Sequence, residues 1–270
     1  MNAALQSLYA EAAPKIPFKC SWGVSKVYND VCMCSGRSAR GNNRKALVIN
    51  YKSTFAVLGD LVDLVKSEGR LKNTIAEVSI NVLNGKNKRG ATRFVMPLYV
   101  TTLLQNNQTE MASVKYAFQK DRNKLHHRQL IFFPVIQQLV ENNEHSGHYF
   151  FIVLNLRNKR FELLDSLRTR GDAKLEDCCN KIMAGIKTLW GIHYGDTNHD
   201  IENYELVDIG VAKQTNNHDC DFHMLLHAEF WDGHYVYTFK EKDISNIRKI
   251  LTHKWLNHFE NDADWESILN

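Results

Sequence analysis

The sequence predicts an α+β fold, and three observations carry that prediction. Apolar residues recur at helical spacing through much of the first half, strand-like apolar runs joined by a polar turn occupy the middle, and helical spacing returns in the last third. No internal repeat or low-complexity tract interrupts this order. Residues 46–270 read as one domain, with a helical subregion over 46–125 and a mixed core over 126–260, while residues 1–45 read as irregular.

Each element follows from local chemistry. Val57, Leu58, Leu61, Val62 and Val65 predict a helix over 53–66, and Gly69 separates it from a second helix carried by Leu71, Ile75, Val78 and Val82. Pro97 suits the first turn of a third helix running to Leu104, and 111–121 reads as a fourth helix or a loop. The run 130–135 reads as a strand, with Pro134 near its end or at a bulge.

His148 opens a strand over 148–154, Arg157, Asn158, Lys159 and Arg160 turn the chain, and 161–165 returns as the second arm of a hairpin. Two registers are open: Leu154 facing Phe161, or a two-residue turn at Asn158 and Lys159 that pairs Arg157 with Arg160. Both put Phe150 or Ile152 opposite Asp165, so His148 and Asp165 share a face; a one-residue slip separates them. A helix over 173–190, a strand over 204–209, a helix from Cys220 to about Trp231 and a last helix from Lys242 to about His258 complete the order.

Composition narrows the function classes. The chain has 270 residues, 44% hydrophobic and 24% charged, enough for a sizeable core. No run approaches the roughly 20 apolar residues of a membrane span, and the first residues lack a charged segment followed by an apolar one, so neither a membrane protein nor a secreted one is expected. Cysteines at 20, 32, 34, 178, 179 and 220 form no paired framework, which fits free thiols in a reducing, intracellular setting, nuclear or cytoplasmic. A net charge of +4 does not argue for nucleic-acid binding, and the basic stretch 36–45 reads as a solvated loop. Cys20, Cys32 and Cys34 lack zinc-finger spacing; His218, Cys220 and His223 are the grouping that could converge on an ion, yet no metal or cofactor is expected.

The chemistry concentrates in Gln214-Thr215-Asn216-Asn217-His218-Asp219-Cys220, where a cysteine follows a polar turn and heads the apolar run Phe222, Met224, Leu225, Leu226 and Phe230. A thiol at a helix N-terminus meets unpaired backbone N–H groups and the positive end of the dipole, which favour thiolate. His148 offers a general base, Asp165 a carboxylate to orient it, and Gln214 a side-chain amide for an oxyanion. Taken singly, each is as readily structural: a buried core cysteine, one of twelve histidines, a strand-end aspartate, a solvated loop glutamine. Their joint order of His, Asp, Gln, Cys carries the reading.

Three blocks, His148-Tyr149, Asp165-Ser166 and Gln214 to Cys220, together resemble the Ulp-type (sentrin/SUMO-specific) cysteine proteases, especially divergent plant members carried by transposons. The resemblance spans roughly 125–260 by motif. It implies a papain-like fold with the cysteine at a helix start. It further implies hydrolysis of a peptide or isopeptide bond at the C-terminus of a ubiquitin-like modifier, SUMO class foremost, without a cofactor. In that mechanism Cys220 attacks, His148 moves the proton, Asp165 holds the imidazole and Gln214 helps hold the oxyanion. Tyr149 would line the channel for the modifier's tail. Asp221 stands where the family pattern has glycine, and a carboxylate beside the thiol opposes its ionisation. That departure supports an alternative, an impaired relative serving as a protein-binding module. A DNA-associated accessory role is a third reading, which would need a basic face.

Overall fold

The structure, a computed structural model, describes residues 11–12, 18–34, 43–51, 54–85, 92–143 and 146–269. From the N-terminus, β1 (Glu11–Ala12) precedes α1 (Trp22–Val27), which runs on into a π-helical stretch over Tyr28–Cys34. β2 (Leu47–Tyr51) and β3 (Thr54–Val57) form an antiparallel hairpin, followed by α2 (Leu58–Leu64) and α3 (Asn73–Gly85). Then come β4 (Arg93–Val95), α4 (Leu98–Gln105), α5 (Ala112–Phe118), α6 (Lys120–Asn123), β5 (Leu130–Gln138), β6 (Gly147–Asn155) and β7 (Arg160–Leu164). The order ends with α7 (Ala173–Tyr194), β8 (Leu206–Asp208), α8 (Cys220–Phe230), β9 (Tyr235–Val236) and α9 (Ile244–Leu256).

Strands β4 to β8 form one five-stranded mixed sheet in chain order, antiparallel in its middle and parallel at both edges. Alternation along β6 sends Tyr149, Phe151 and Val153 into one apolar layer with α3, α8 and α9, and Phe150, Ile152 and Leu154 into another with α4, α5 and α7. The α+β class is therefore realised as helices on both faces of a mixed sheet. Of the two hairpin registers, Leu154 faces Phe161, and Lys159 takes the left-handed conformation in the turn (φ 52°).

Several expected elements differ. Residues 1–45 are not irregular throughout the described part: Ser21 Oγ caps α1 by accepting from the Val24 N–H at 3.3 Å. That segment is tied to α9, where Asn246 donates to the Phe18 carbonyl. Its apolar signal was weak because Val24 is the only buried residue of α1 while Trp22 is 79% exposed. Most of the basic stretch 36–45 lies outside the described residues. The 46–125 subregion is not purely helical, since it holds the β2–β3 hairpin and β4. The helix expected over 53–66 begins only at Leu58: Phe55 points out while Ala56 is buried, an alternation that belongs to a strand.

Pro134 sits mid-strand in β5, opposite Phe151, rather than at its end. The Leu130 N–H and the Phe132 carbonyl face β4, so Pro134, with the same parity, turns its missing donor to that side. There β4 has already stopped at Val95, and no ladder bond is lost.

Candidate active site

The hairpin builds the first half of the site. With Leu154 against Phe161, Asp165 falls one step beyond the last β7 pairing and diagonal to His148 on the same sheet face. His148 Nε2 and Asp165 Oδ1 lie 2.7 Å apart, both side chains almost wholly buried. The same Oδ1 accepts the backbone N–H groups of Leu167 at 2.7 Å and Arg168 at 2.9 Å, and Oδ2 accepts Arg168 Nε at 3.1 Å. Burial alone would raise the Asp165 carboxyl. The hydrogen bond and charge of His148, with the charge and N–H of Arg168, override it and hold the group at about 2. An ionised carboxylate only accepts, so Nε2 carries an imidazole proton, and Nδ1 is the ring nitrogen that Asp165 does not engage.

The second half is the start of α8. Asn216 makes the turn before it, its Oδ1 accepting the N–H groups of His218 and Asp219, each at 3.0 Å. Cys220 is the first helical residue, and its sulfur is met by the backbone N–H groups of Tyr149 and Asp221. The thiol thus sits beside the residue that follows His148. Every residue of α8 from Cys220 to Ala228 is buried, which explains the orientation of its polar side chains.

Asp221, 1% exposed, is turned into the fold. Its Oδ2 accepts the Leu71 N–H at 2.6 Å and its Oδ1 the Phe222 N–H at 2.7 Å. Burial lifts its carboxyl to about 7 against the pull of those N–H groups and of Arg248. The residue expected to oppose ionisation of the thiol is also the tie between α8 and the segment entering α3. Burial first, then the Asp221 charge, push the Cys220 thiol up to about 12, opposed by the Tyr149 and Asp221 N–H groups and by Arg70. The resting sulfur is a neutral thiol.

Gln214 and Tyr149 lie next to these groups. The Gln214 Oε1 accepts Ser166 Oγ at 2.6 Å, and its Nε2 donates to the Asn216 carbonyl at 2.6 Å. One of its two amide protons is therefore committed within its own loop, and the second remains to donate elsewhere. The serine after Asp165 orients it. Tyr149, 5% exposed, directs its hydroxyl to Asn73 Oδ1 at 2.7 Å, at the start of α3. Its backbone, rather than its ring, is what meets the thiol. Among the described residues no cluster of three or more His, Cys, Asp or Glu has metal-holding geometry, and His218, Cys220 and His223 do not converge. No described helix is long and apolar enough to cross a membrane.

Three arginines complete the site without a local sequence signal. Arg70 donates to the Gly147 carbonyl at 3.5 Å and the Asn217 carbonyl at 2.9 Å, joining the strand of His148 to the loop before Cys220. Arg248 of α9 pairs with Asp219 at 2.5 Å, donates to the Leu64 and Gly69 carbonyls and lies 4.3 Å from the Phe222 ring centroid. Arg168 grips Asp165. Arg70 and Arg248 act across the chain, where periodicity carries no information, whereas Arg168 acts one turn after Asp165.

No curated protein sequence is significantly similar to this chain. Among solved structures, it resembles the C-terminal Ulp1 protease domain in complex with Smt3, the yeast ortholog of SUMO, at TM-score 0.69 and 16% identity over 92% of this chain and 100% of that one. The Chaetomium thermophilum Ulp1-like SUMO protease catalytic domain matches at TM-score 0.66 and 15% identity, over 97% and 99% of the two chains. A SUMO protease Ulp1 whose catalytic cysteine is oxidised to a sulfenic acid matches at TM-score 0.68 and 16% identity, over 92% and 100%. At such identities the likeness establishes the fold. The sequence itself matches the Ulp1 protease family, C-terminal catalytic domain, over residues 70–262, and the chain belongs to that family.

Proposed function

We propose that this protein is a cysteine protease that cuts a peptide or isopeptide bond at the C-terminus of a ubiquitin-like modifier, the SUMO class foremost. The observation that carries the reading is the His148–Asp165 pair at 2.7 Å beside a helix-start thiol that meets the Tyr149 N–H. His148 Nδ1 takes the Cys220 proton, and the sulfur attacks the carbonyl carbon of the modifier's last residue. The Cys220 N–H and the second amide proton of Gln214 hold the oxyanion, His148 protonates the leaving amine, and water hydrolyses the thioester. Asp165 remains ionised and holds the imidazole tautomer. Tyr149 flanks the entry of the modifier's tail. Two relatives of this fold are SUMO proteases, one of them in complex with a SUMO ortholog. An intracellular setting, nuclear or cytoplasmic, suits cysteines 20, 32, 178, 179 and 220, all of them free thiols.

One observation favours a second reading, an impaired relative that binds modifiers without cutting them: the Cys220 thiol lies at about 12, raised by burial and by Asp221. Incubation with a panel of ubiquitin-like modifiers bearing C-terminal electrophiles, read by intact mass and peptide mapping, separates the two. An adduct at Cys220 with one modifier class supports the protease; tight binding without any adduct supports the module.

A further inference from the structure

Behind the His148–Asp165 pair lies a group of side chains that the mechanism above does not use. Arg168, 9% exposed, follows Asp165 by one turn and reaches back with Nε to Asp165 Oδ2, the oxygen His148 does not take. Its Nη1 donates to Gln137 Oε1 at 2.7 Å, and Gln137 is the cross-strand partner of His148 on β5. The guanidinium carbon lies 5.0 Å from the centroid of Phe150, the ring that also stacks on His148 at 6.1 Å. Lys213 closes the turn from behind, its Nζ donating to the carbonyls of Asp165 at 2.7 Å and Arg168 at 2.6 Å. Among the described residues, the ion-pair partner of this arginine is Asp165, the carboxylate facing the imidazole.

We infer that Arg168 is a positioning residue for the His148–Asp165 pair: it fixes the carboxylate through the second oxygen and shares its charge, so that His148 bonds to a partly neutralised partner. The inference rests on the protease reading for its catalytic meaning, but its geometry does not. A carboxylate already paired with a guanidinium is a weaker acceptor and holds an imidazolium less tightly. A base facing a neutral thiol must accept a proton, so the step needs the neutral imidazole that a fixed, charge-shared carboxylate favours.

The surroundings leave that pair in control. His148 faces Asp165 and, from α8, His223, and stacks on Phe150, the ring that Arg168 covers. Asp165 and Arg168 also face Lys213, which Asp208 faces in turn, and His227 of α8 and Cys178 and Cys179 of α7 lie against the pair. Burial holds His223 at about 4 and His227 at about 3 and raises both α7 thiols, so between pH 5 and 8 all four stay uncharged. Lys213 is lowered by burial, opposed by the charges of Asp208 and Asp165, and stays bonded to the carbonyls of Asp165 and Arg168.

The test is Arg168→Gln, with Arg168→Lys beside it and Arg168→Met to preserve packing on Phe150 should the glutamine variant not fold. The first readout needs no activity: the Nε2–H proton resonance of His148 moves further downfield in the uncharged variants, because the bond to an unshared carboxylate strengthens. The second is the pH profile of Cys220 labelling by a modifier electrophile. Its acid limb moves up by roughly half a unit to one unit, a three- to tenfold loss below the limb, while the rate above the limb is kept. Arg168→Lys stays within about a third of that shift. An unmoved resonance and limb in a folded uncharged variant, or a lysine variant that shifts as far, overturns the inference. If wild type takes no modifier label yet the resonance moves, the protease reading falls and this one stands.

Discussion

Asp165 and Asp221 are both buried aspartates of one site, yet their surroundings drive them in opposite directions. Asp165 accepts from His148, two backbone N–H groups and a guanidinium, and lies at about 2. Asp221 accepts two backbone N–H groups with no direct cation, and lies at about 7. Burial is comparable; the difference is how much positive charge touches the carboxylate. In the proposed mechanism, one half of the site therefore keeps an anion that fixes the base, and the other keeps a thiol un-ionised until that base acts on it.

The sharpest way to break this comparison is to remove the nucleophile. Cys220→Ser is expected to reduce turnover to background, roughly 10^4-fold or more, with an unchanged melting temperature and modifier affinity. Persistent hydrolysis in that variant places the chemistry elsewhere.

Next in size is Asp165→Asn, which keeps the shape but removes the anion. It should lower kcat/KM by roughly 10^2–10^4-fold through the wrong imidazole tautomer. The variant should also lose about 2–3 kcal/mol of stability at neutral pH, since Asp165 lies at about 2 against an ordinary value near 3.8. A depressed carboxylate contributes stability that is fully present above its unfolded value and is lost as pH falls. Wild type should therefore weaken from about pH 4 down to 2, and denaturant titrations should show the variant lacking that slope.

The α8 half is probed by Arg248→Met, which leaves the Asp219 carboxylate buried opposite no guanidinium and frees the Leu64 and Gly69 carbonyls. A destabilisation of about 3–5 kcal/mol is expected. Chemical denaturation measures it, and a loss below about 1 kcal/mol means the pair is screened.

The smallest effect is the most informative about sign. Asp221→Asn keeps an oxygen for the Leu71 N–H and deletes the charge, so alkylation of Cys220 near pH 8 should quicken about three- to tenfold. Because Asp221 itself lies at about 7, the two curves should converge below about pH 6, where the native carboxyl is protonated. A raised carboxyl stabilises the fold at low pH and loses that contribution as pH rises from about 4 through 7; the asparagine variant should lack this decline. Asp221→Gly should speed the thiol too, but at a further cost of about 1–3 kcal/mol from the orphaned Leu71 N–H.

The two halves were not equally legible in the sequence. His148 and Asp165 stand 17 positions apart in one hairpin, so register and parity put them on one face before any tertiary contact is known. The order of major helices and central strands followed from periodicity for the same reason. The β2–β3 hairpin was hidden because Val57, Leu58 and Leu61 extend helical spacing back across a strand boundary, and β4, three residues long, is too short to show a period. At α8 the cysteine and its preceding turn were legible, but not what surrounds them. Asp221 meets Leu71 across 150 positions, Arg70 meets Asn217 across 147, and Arg248 meets Asp219 across 29. A neighbour in sequence was readable as a charge, yet only packing decides whether it faces the thiol or turns into the core.

The account stands most directly on the protonation state of the resting nucleophile, which the pH dependence of Cys220 alkylation by a small uncharged reagent measures, with loss of labelling in Cys220→Ser assigning the site. The account predicts a rate that is slow at neutral pH and still climbing above pH 9, without a plateau. A plateau already reached near neutrality, with a midpoint below about 7, would mean a preformed thiolate and would contradict it.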